Sequence, residues 1–194
     1  MTPFILSILY FTSISIVTSL FERNYLLFWY IATLTAHVLD ILYALNNRLV
    51  SKKSNKGFLH WFVTDIDYPP KKWWISFYEQ YGRYDFRYIS SDPLIISIGY
   101  LEIVEVVLNV SIIPLLIFQL DIAYYLQIIL ASFQIFGTLL YFIVPYVDGS
   151  SKFIFTNNLF EFVFIIVILN SIWIVVPSIL LYDGVRHLLT HCEW

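Results

Sequence analysis

The fold of this chain is decided by the stretch Leu101-Glu-Ile-Val-Glu-Val-Val-Leu-Asn-Val-Ser-Ile-Ile-Pro114, which sets two carboxylates within an apolar, membrane-length segment. Glu102 and Glu105 are three residues apart, so in a helix their side chains project from roughly the same face. No Lys or Arg lies within helical reach along this segment, so any charged partner must come from another helix. Because a charged carboxylate near the centre of a bilayer costs about 2.5 kcal/mol or more, the pair predicts a pocket enclosed by other helices.

The composition is that of a membrane protein. Of the 194 residues, 59% are hydrophobic and 13% are charged, and a soluble domain of this length could not bury so much apolar side chain. The net charge of -3, with no basic tail, argues against a nucleic-acid partner. The single Cys192 excludes an intrachain disulfide, and no Cys/His spacing resembles a metal site, so we predict no metal ion.

Five apolar segments are long enough to cross a hydrocarbon core of about 30 Å at about 1.5 Å per residue. They are Pro3–Leu20, Leu26–Leu45, Pro93–Phe118, Ile122–Val144 and Phe160–Tyr182. The first is interpreted as an uncleaved span, because it lacks the basic region and the cleavage site of a signal peptide. A turn at Gln119-Leu-Asp121 makes the third and fourth spans antiparallel neighbours, and a loop is predicted over Val144–Lys152. The prediction is an all-α bundle of five transmembrane helices in a single domain, residues 1–194.

The connection from Asn46 to Asp92 is long and has two parts. The first is basic and rich in Ser and Asn, which is typical of a solvated hinge. From Trp61 onward the segment is rich in Trp and Tyr, which predicts an interfacial segment with one short helix around Trp73 to Tyr81. We expect this segment to cap the pocket.

The distribution of basic residues predicts an orientation in the membrane. The long connection holds eight Lys or Arg, and Lys152 lies in the loop on the same side, against Arg23 and Arg186 on the opposite side. Since Lys and Arg accumulate on the cytosolic side, this favours a cytosolic N-terminus and a lumenal C-terminus.

A second pair of polar residues lies in the second span. His37 and Asp40 are three residues apart, so they also share a helical face. If both pairs face inward, one apolar cavity contains proton donors and proton acceptors, with Trp173 of the last span available to face a developing cation. The alternatives are structural: His37 as a hydrogen-bond partner between helices, Asp40 as its ion pair, and Trp173 as a packing residue.

The last span resembles that of a known family. It reads Leu169-Asn-Ser-Ile-Trp-Ile-Val-Val-Pro-Ser-Ile-Leu-Leu-Tyr-Asp-Gly-Val-Arg-His-Leu188 and is similar to the final helix of the emopamil-binding protein family, the sterol Δ8-Δ7 isomerases of the EXPERA superfamily. Further matches are Gln134-Ile-Phe-Gly137, Leu140-Tyr-Phe142, the Asp148-Gly149 loop, Tyr81, Arg87-Tyr88-Ile89 and Asp92. Glu105 lies nine residues before Pro114, and Trp29 lies eight before His37, as in the family. The resemblance covers roughly Trp29 to Leu188.

The resemblance implies a five-helix, EXPERA-like domain with a lipid-facing, intramembrane cavity for a sterol, in the endoplasmic reticulum membrane. The family moves the sterol ring double bond from C8 to C7 by protonation, a carbocation and deprotonation, without a cofactor. Carried over by position, His37 belongs to the proton-transfer pair and Glu105 faces the cationic centre. The resemblance implies His37 and Glu105 as catalytic residues, and the nearby Asp40 and Glu102 complete the predicted catalytic set. The predicted substrate-binding residues are Asn170, Trp173, Leu108 and Tyr88.

The chain departs from the family at three positions. The family's acid follows its His by four residues, where this chain has Ile41, and the carboxylate of this chain is Asp40 at plus three. Leu108 stands where the family has Thr, and Thr138 stands where it has Asp. Glu102 has no counterpart in the family and could replace one of the missing groups.

The expected partners are a sterol substrate, membrane lipid and cationic amphiphilic amines, because a protonated tertiary amine mimics a carbocation beside a carboxylate. Two other functions stay open: a non-catalytic sterol- or lipid-binding protein of the same fold, and an accessory subunit of a membrane assembly. A second copy of this chain, in a homodimer, is left open as a further partner. The enzyme is favoured if Asp40 or Glu102 reaches the same cavity as Glu105, whereas an accessory subunit should fill that cavity with its own side chains.

Overall fold

The computed structural model describes residues 3–20, 24–50, 73–147 and 163–191, and these ranges are mainly helical. The α-helices are α1 (Pro3–Thr18), α2 (Asn24–Asn46), α3 (Trp73–Tyr81), α4 (Pro93–Ile117), α5 (Ile122–Val147) and α6 (Leu169–His191). A π-helical segment, Val163–Ile168, leads into α6, and short 3-10 turns lie at Asn47–Leu49 and Phe86–Tyr88. The predicted all-α, multi-pass membrane fold is confirmed.

Four of the described helical stretches are long and apolar enough to cross a membrane, namely Tyr25–Leu49, Pro93–Ile117, Ile122–Val147 and Ile166–Thr190. The apolar helix α1 is shorter, at 16 residues, and packs on α2, where the Tyr10 hydroxyl donates to the Ile31 carbonyl oxygen at 3.2 Å. The first predicted span, Pro3–Leu20, therefore stays a prediction.

Local sequence signals set the ends of α4. The Asp92 side chain accepts a hydrogen bond from the Leu94 N–H at 2.9 Å, and Pro93 occupies the first helical position, where its missing N–H costs nothing. At the other end, Gln119 takes a left-handed conformation with φ of 55°. This tight turn leads directly into α5 at Ile122 and confirms that α4 and α5 are antiparallel neighbours.

Close packing of α2 on α4 brings together the His37, Asp40, Glu102 and Glu105 side chains. The most extensive helix contacts are those of α2 with α4 and of α5 with α6. At Gly99 of α4, an added Cβ would lie 2.7 Å from the Ala44 Cβ and 2.8 Å from the Asp40 carbonyl oxygen. Because no side chain keeps the two helices apart there, the His37–Asp40 face of α2 lies directly on the Glu102–Glu105 face of α4.

Residues 73–92 form a segment that we call the arm, consisting of α3 and the turns that follow it. The short helix predicted around Trp73 to Tyr81 is confirmed with those bounds. The Tyr43 hydroxyl of α2 donates to the Tyr88 carbonyl oxygen at 2.8 Å, which fixes the arm to the bundle. The rest of the predicted hinge and interfacial segment, at 51–72, lies outside the described residues, as do the Asp148-Gly149 loop and Cys192.

The predicted start of the loop at Val144 is wrong, because α5 continues through Pro145 to Val147. A proline in a helix lacks the N–H that would bond to the carbonyl oxygen four residues earlier, in this helix that of Tyr141. Arg87 of the arm supplies the missing donor, since its Nη1 donates to the Tyr141 carbonyl oxygen at 3.0 Å. The helix thus tolerates the proline through a contact that the local sequence does not reveal.

Candidate active site

An internal cavity of about 160 Å³ lies where α2, α4, α5 and α6 meet the arm. It is lined by both predicted polar pairs and by most of the other predicted site residues: His37, Asp40, Tyr88, Glu102, Glu105, Asn170 and Trp173. Leu101, Phe133 and Phe136 also line it and are exposed on the outer surface of the helices. We call it the acidic cavity; it reaches the lipid-facing surface between α4 and α5.

His37 lies between the two glutamates of α4. Its Nδ1 contacts the carboxylate of Glu102, and its Nε2 lies 3.5 Å from Oε2 of Glu105. The imidazole is 2% exposed and the Glu105 side chain 7% exposed, so bulk water does not compete for these contacts. The three groups form a continuous path for a proton in a site of low dielectric.

Gln134 of α5 contacts this histidine directly. Its side-chain amide lies 3.3 Å from the Nε2 of His37, and both residues are buried. The sequence singles out Gln134 only through the family resemblance, and its contact with His37 arises from the packing of α5, which the local sequence does not reveal.

The spacing along α2 suggests His37 as the partner of Asp40, but Asp40 has a different partner. Tyr78 of α3 donates its hydroxyl proton to Oδ1 of Asp40 at 2.6 Å. Burial raises the pKa of Tyr78 well above its ordinary value, and the nearby Asp40 carboxylate raises it further, so the phenol stays protonated and remains a donor. Asp40 therefore lines the acidic cavity but is held by the arm, while Glu102 makes the contact with His37.

The α6 residues close the cavity opposite α4. The Trp173 ring lies 5.6 Å from the His37 ring, and Asn170 donates from Nδ2 to the Tyr81 hydroxyl at 2.7 Å. Burial raises the pKa of Tyr81 to about 12, which keeps its hydroxyl protonated. Asn170 thus connects α6 to the arm, and Trp173 presents an aromatic ring at the cavity edge.

Leu108 is the predicted site residue that the structure does not bring to the acidic cavity. The α4 residues that line the cavity are Ile98, Leu101, Glu102 and Glu105. Leu108 lies nearly one turn further along α4 and packs against an apolar cluster that includes Ile112 and Leu130. Its side chain belongs to the helix interface below the cavity.

A metal ion is compatible with part of this arrangement. His37, Glu102 and Glu105 each offer one ligand atom, and these atoms lie within 4.8 Å of one another. One imidazole and two carboxylates are ligand types that Zn²⁺ accepts. The same groups serve equally as a proton relay, which needs no ion.

Comparison with known proteins gives a consistent assignment. A family model described as EXPERA (EXPanded EBP superfamily) matches residues 71–184. The 3-beta-hydroxysteroid-Delta(8),Delta(7)-isomerase of Rattus norvegicus is 31% identical over 115 residues, which cover 57% of this chain and 48% of that protein. The proteins of the same name from Mus musculus and Cavia porcellus are 30% identical over 115 residues and 33% over 113, with 57% and 56% of this chain and 48% of each relative covered. The chain spans about half the length of the curated relatives it matches.

The match and the site overlap in part. Glu102, Glu105, Asn170 and Trp173 lie within the matched residues, whereas α2, which carries His37, precedes them. The packing of α2 on α4 brings His37, which lies outside the matched residues, into contact with Glu102, which lies within them. Because the family match covers more than half of its 194 residues, the chain belongs to the EXPERA superfamily.

Proposed function

We propose that this protein is a sterol isomerase of the endoplasmic reticulum membrane that moves a ring double bond from C8 to C7. The observation that carries the proposal is the enclosed His37, placed between Glu102 and Glu105 with the Trp173 ring beside it. This set supplies an acid, a base, a carboxylate and an aromatic face, which protonation and deprotonation of an alkene require. The names of the relatives are consistent with this chemistry.

Each group has a role in this proposal. His37 and Glu102 form the proton-transfer pair, which adds a proton to one end of the C8 double bond and accepts one from C7. Glu105 faces the cation formed between the two steps and lowers its energy by charge attraction in a site of low dielectric. The Trp173 ring adds a cation-π contact, and Asn170 and Tyr88 shape the wall against the substrate.

The cavity also favours the enzyme over the two alternatives. Asp40 and Glu102 both reach the cavity that contains Glu105, which is the arrangement expected of a proton relay. A volume of about 160 Å³ is left open among the lining side chains, whereas an accessory subunit should fill this space. A passive lipid site would have no need for buried carboxylates, since these are costly within a membrane.

The proposal is tested by incubating the purified protein, in detergent or lipid, with a Δ8 sterol and measuring Δ7 product by chromatography and mass spectrometry. Binding of a tertiary-amine amphiphile is measured on the same sample. Conversion supports the isomerase. Saturable binding without conversion would identify a non-catalytic member of the family, and the absence of both would indicate an accessory subunit.

Glu102 and Asp40 should differ sharply in this assay. We expect Glu102→Gln to lower kcat by about 100-fold, because the variant removes the charge that contacts His37 Nδ1. Asp40→Asn, the matched change from carboxylate to amide, should lower kcat by less than about fivefold, because the Asp40 side chain is directed to Tyr78. The reverse ranking would place Asp40 in the proton-transfer pair and contradict the role assigned to Glu102.

Gly137 of α5 controls the space available to a ligand. It lines the acidic cavity, and a Cβ added there meets no atom within 4 Å. We therefore expect Gly137→Leu to fold normally and to weaken binding of a tertiary-amine amphiphile by about tenfold or more, because the new side chain occupies the cavity. Ser132→Leu, which adds comparable bulk at an exposed position of the same helix, is the control. Equal affinity in both variants would mean that the ligand binds elsewhere.

A further inference from the structure

A second pocket, open to the outer surface of the helices at Tyr25, Ile179 and Tyr182, lies between the first turns of α2 and residues 176–183 of α6. Its volume is about 470 Å³, and we call it the outer chamber. The lining is almost entirely apolar: Tyr25, Phe28, Trp29, Val176, Ile179, Leu180, Tyr182 and Asp183. Neither the proposed proton relay nor the arm contributes a residue, so the outer chamber needs an explanation of its own.

Two polar atoms of residues in this lining have no hydrogen-bond partner among the residues that the structure describes. They are Nε1 of Trp29 and Oδ2 of Asp183, and both are buried. Water cannot reach either atom freely, and a buried polar group without a partner costs about 1–3 kcal/mol. A site with an unpaired donor and an unpaired acceptor suggests a ligand that supplies the complementary groups.

A hydroxyl group offers the hydrogen-bonding functions that both atoms lack. An indole N–H only donates and a carboxylate only accepts, whereas a hydroxyl both accepts and donates. The remaining lining is apolar, and both helices are membrane spans, so the rest of the ligand must be hydrophobic and must come from the bilayer. We propose that the outer chamber binds a lipid alcohol, an apolar molecule with one hydroxyl that accepts from Trp29 Nε1 and donates to Asp183.

The outer chamber is separate from the acidic cavity but contacts it through two rings. The Trp29 and Trp173 rings are 5.6 Å apart, and Trp173 is in turn 5.6 Å from the His37 ring. Along α2, Trp29 precedes His37 by two turns, about 12 Å. A lipid alcohol in the outer chamber therefore lies beyond the tryptophan pair, and its binding does not depend on the proposed isomerase activity.

The test uses the full chain in lipid nanodiscs and a photoreactive sterol with a free hydroxyl and a diazirine on its apolar body. Cross-linked peptides are identified by mass spectrometry, and the Gly137→Leu protein, in which the new side chain occupies the acidic cavity, is labelled in parallel to separate the two cavities. We expect labelling of α2 and α6 around Phe28 and Ile179, retained in the Gly137→Leu protein. A photoreactive straight-chain alcohol tests whether the chamber takes lipid alcohols in general or sterols alone, and either result supports the proposal.

The hydroxyl dependence is measured with the O-methyl ether of the same sterol, which can accept a hydrogen bond but cannot donate one. We expect Asp183→Leu to weaken alcohol binding by roughly 3- to 10-fold and to leave ether binding unchanged, since the ether already lacks the proton that Asp183 accepts. Trp29→Phe should weaken both ligands by a similar factor, because both accept from the indole N–H. Trp74→Phe in α3 and Asp121→Asn, an exposed carboxylate paired with His187, are the matched controls.

Two results would overturn the proposal. Absence of labelling at α2 and α6 would show that the outer chamber takes no lipid alcohol. Equal binding of the alcohol and the ether by the wild type would show that the hydroxyl is not recognised, even if the apolar body enters. Ether binding by the Asp183→Leu protein also reports on folding, because a collapsed chamber would lose both ligands. Loss of sterol conversion, in contrast, bears only on the acidic cavity.

Discussion

The Glu105→Gln protein is expected to convert a Δ8 sterol about 1000-fold more slowly than the wild type, and this is the largest effect on activity that the site predicts. Glu105 is buried, and its carboxylate lies 3.5 Å from His37 Nε2, so among the side chains of α4 only Glu102 is near enough to replace its charge. Glutamine keeps the size and shape of the side chain but removes the negative charge that would stabilise a cation. The rate of product formation under single-turnover conditions measures the effect directly.

The same variant separates charge stabilisation from binding. A neutral sterol should bind the Glu105→Gln protein within a fewfold of wild-type affinity, because the lost interaction exists only once positive charge develops. A protonated tertiary amine should bind at least about tenfold more weakly, because its charge is present from the start. Glu79→Gln in α3, outside the lining of the acidic cavity, is the matched control and should alter neither quantity. Unchanged turnover in Glu105→Gln would remove this residue from the mechanism.

The largest expected effect on stability comes from Asp85. This side chain is fully buried and forms an ion pair with Arg87, with 2.6 Å between Oδ2 and Nη2, while the Tyr141 hydroxyl donates to the same oxygen at 2.7 Å. The Arg87 guanidinium also lies 4.4 Å from the centre of the Tyr141 ring. We expect Asp85→Ala to lower the free energy of unfolding by about 3–5 kcal/mol, because it leaves the buried Arg87 charge without its partner. Thermal unfolding in detergent measures the loss.

A double variant distinguishes the unpaired charge from a simple cavity. In Asp85→Ala combined with Arg87→Met, neither charge remains, so the double variant should be more stable than Asp85→Ala alone. It should still fall below the wild type, because the Tyr141 hydroxyl and carbonyl both lose a partner. Strict additivity of the two single changes would show that the ion pair contributes no coupling energy.

The helices could be predicted from the sequence because each signal is local. Apolar runs of membrane length, the Asp92-Pro93 start and the Gln119-Leu-Asp121 turn place α4 and α5 within a few residues of their observed bounds. The meeting of His37 with Glu102 and Glu105 was also predictable, because buried carboxylates in a membrane need partners and the shared helical faces restrict the choice.

The rest depends on contacts between distant parts of the chain. The partner of Asp40 is Tyr78, which lies on another helix, and spacing along α2 cannot indicate it. Leu108 was assigned to the site because it stands where the resembling family has Thr, whereas the α4 residues that line the cavity end at Glu105. The extension of α5 through Pro145 was missed for the same reason, since its supporting donor is Arg87 of the arm.

The contact between Arg87 and the Tyr141 carbonyl has a consequence for how this family can diverge. A chain that kept Pro145 but lost Arg87 would present a bare carbonyl oxygen within the bundle, while a chain with an ordinary residue at position 145 would supply its own N–H. A proline at position 145 therefore makes the arginine at position 87 harder to replace. Among homologous sequences, a proline at position 145 should occur only together with the arginine, whereas the arginine, which also pairs with Asp85, can persist without the proline.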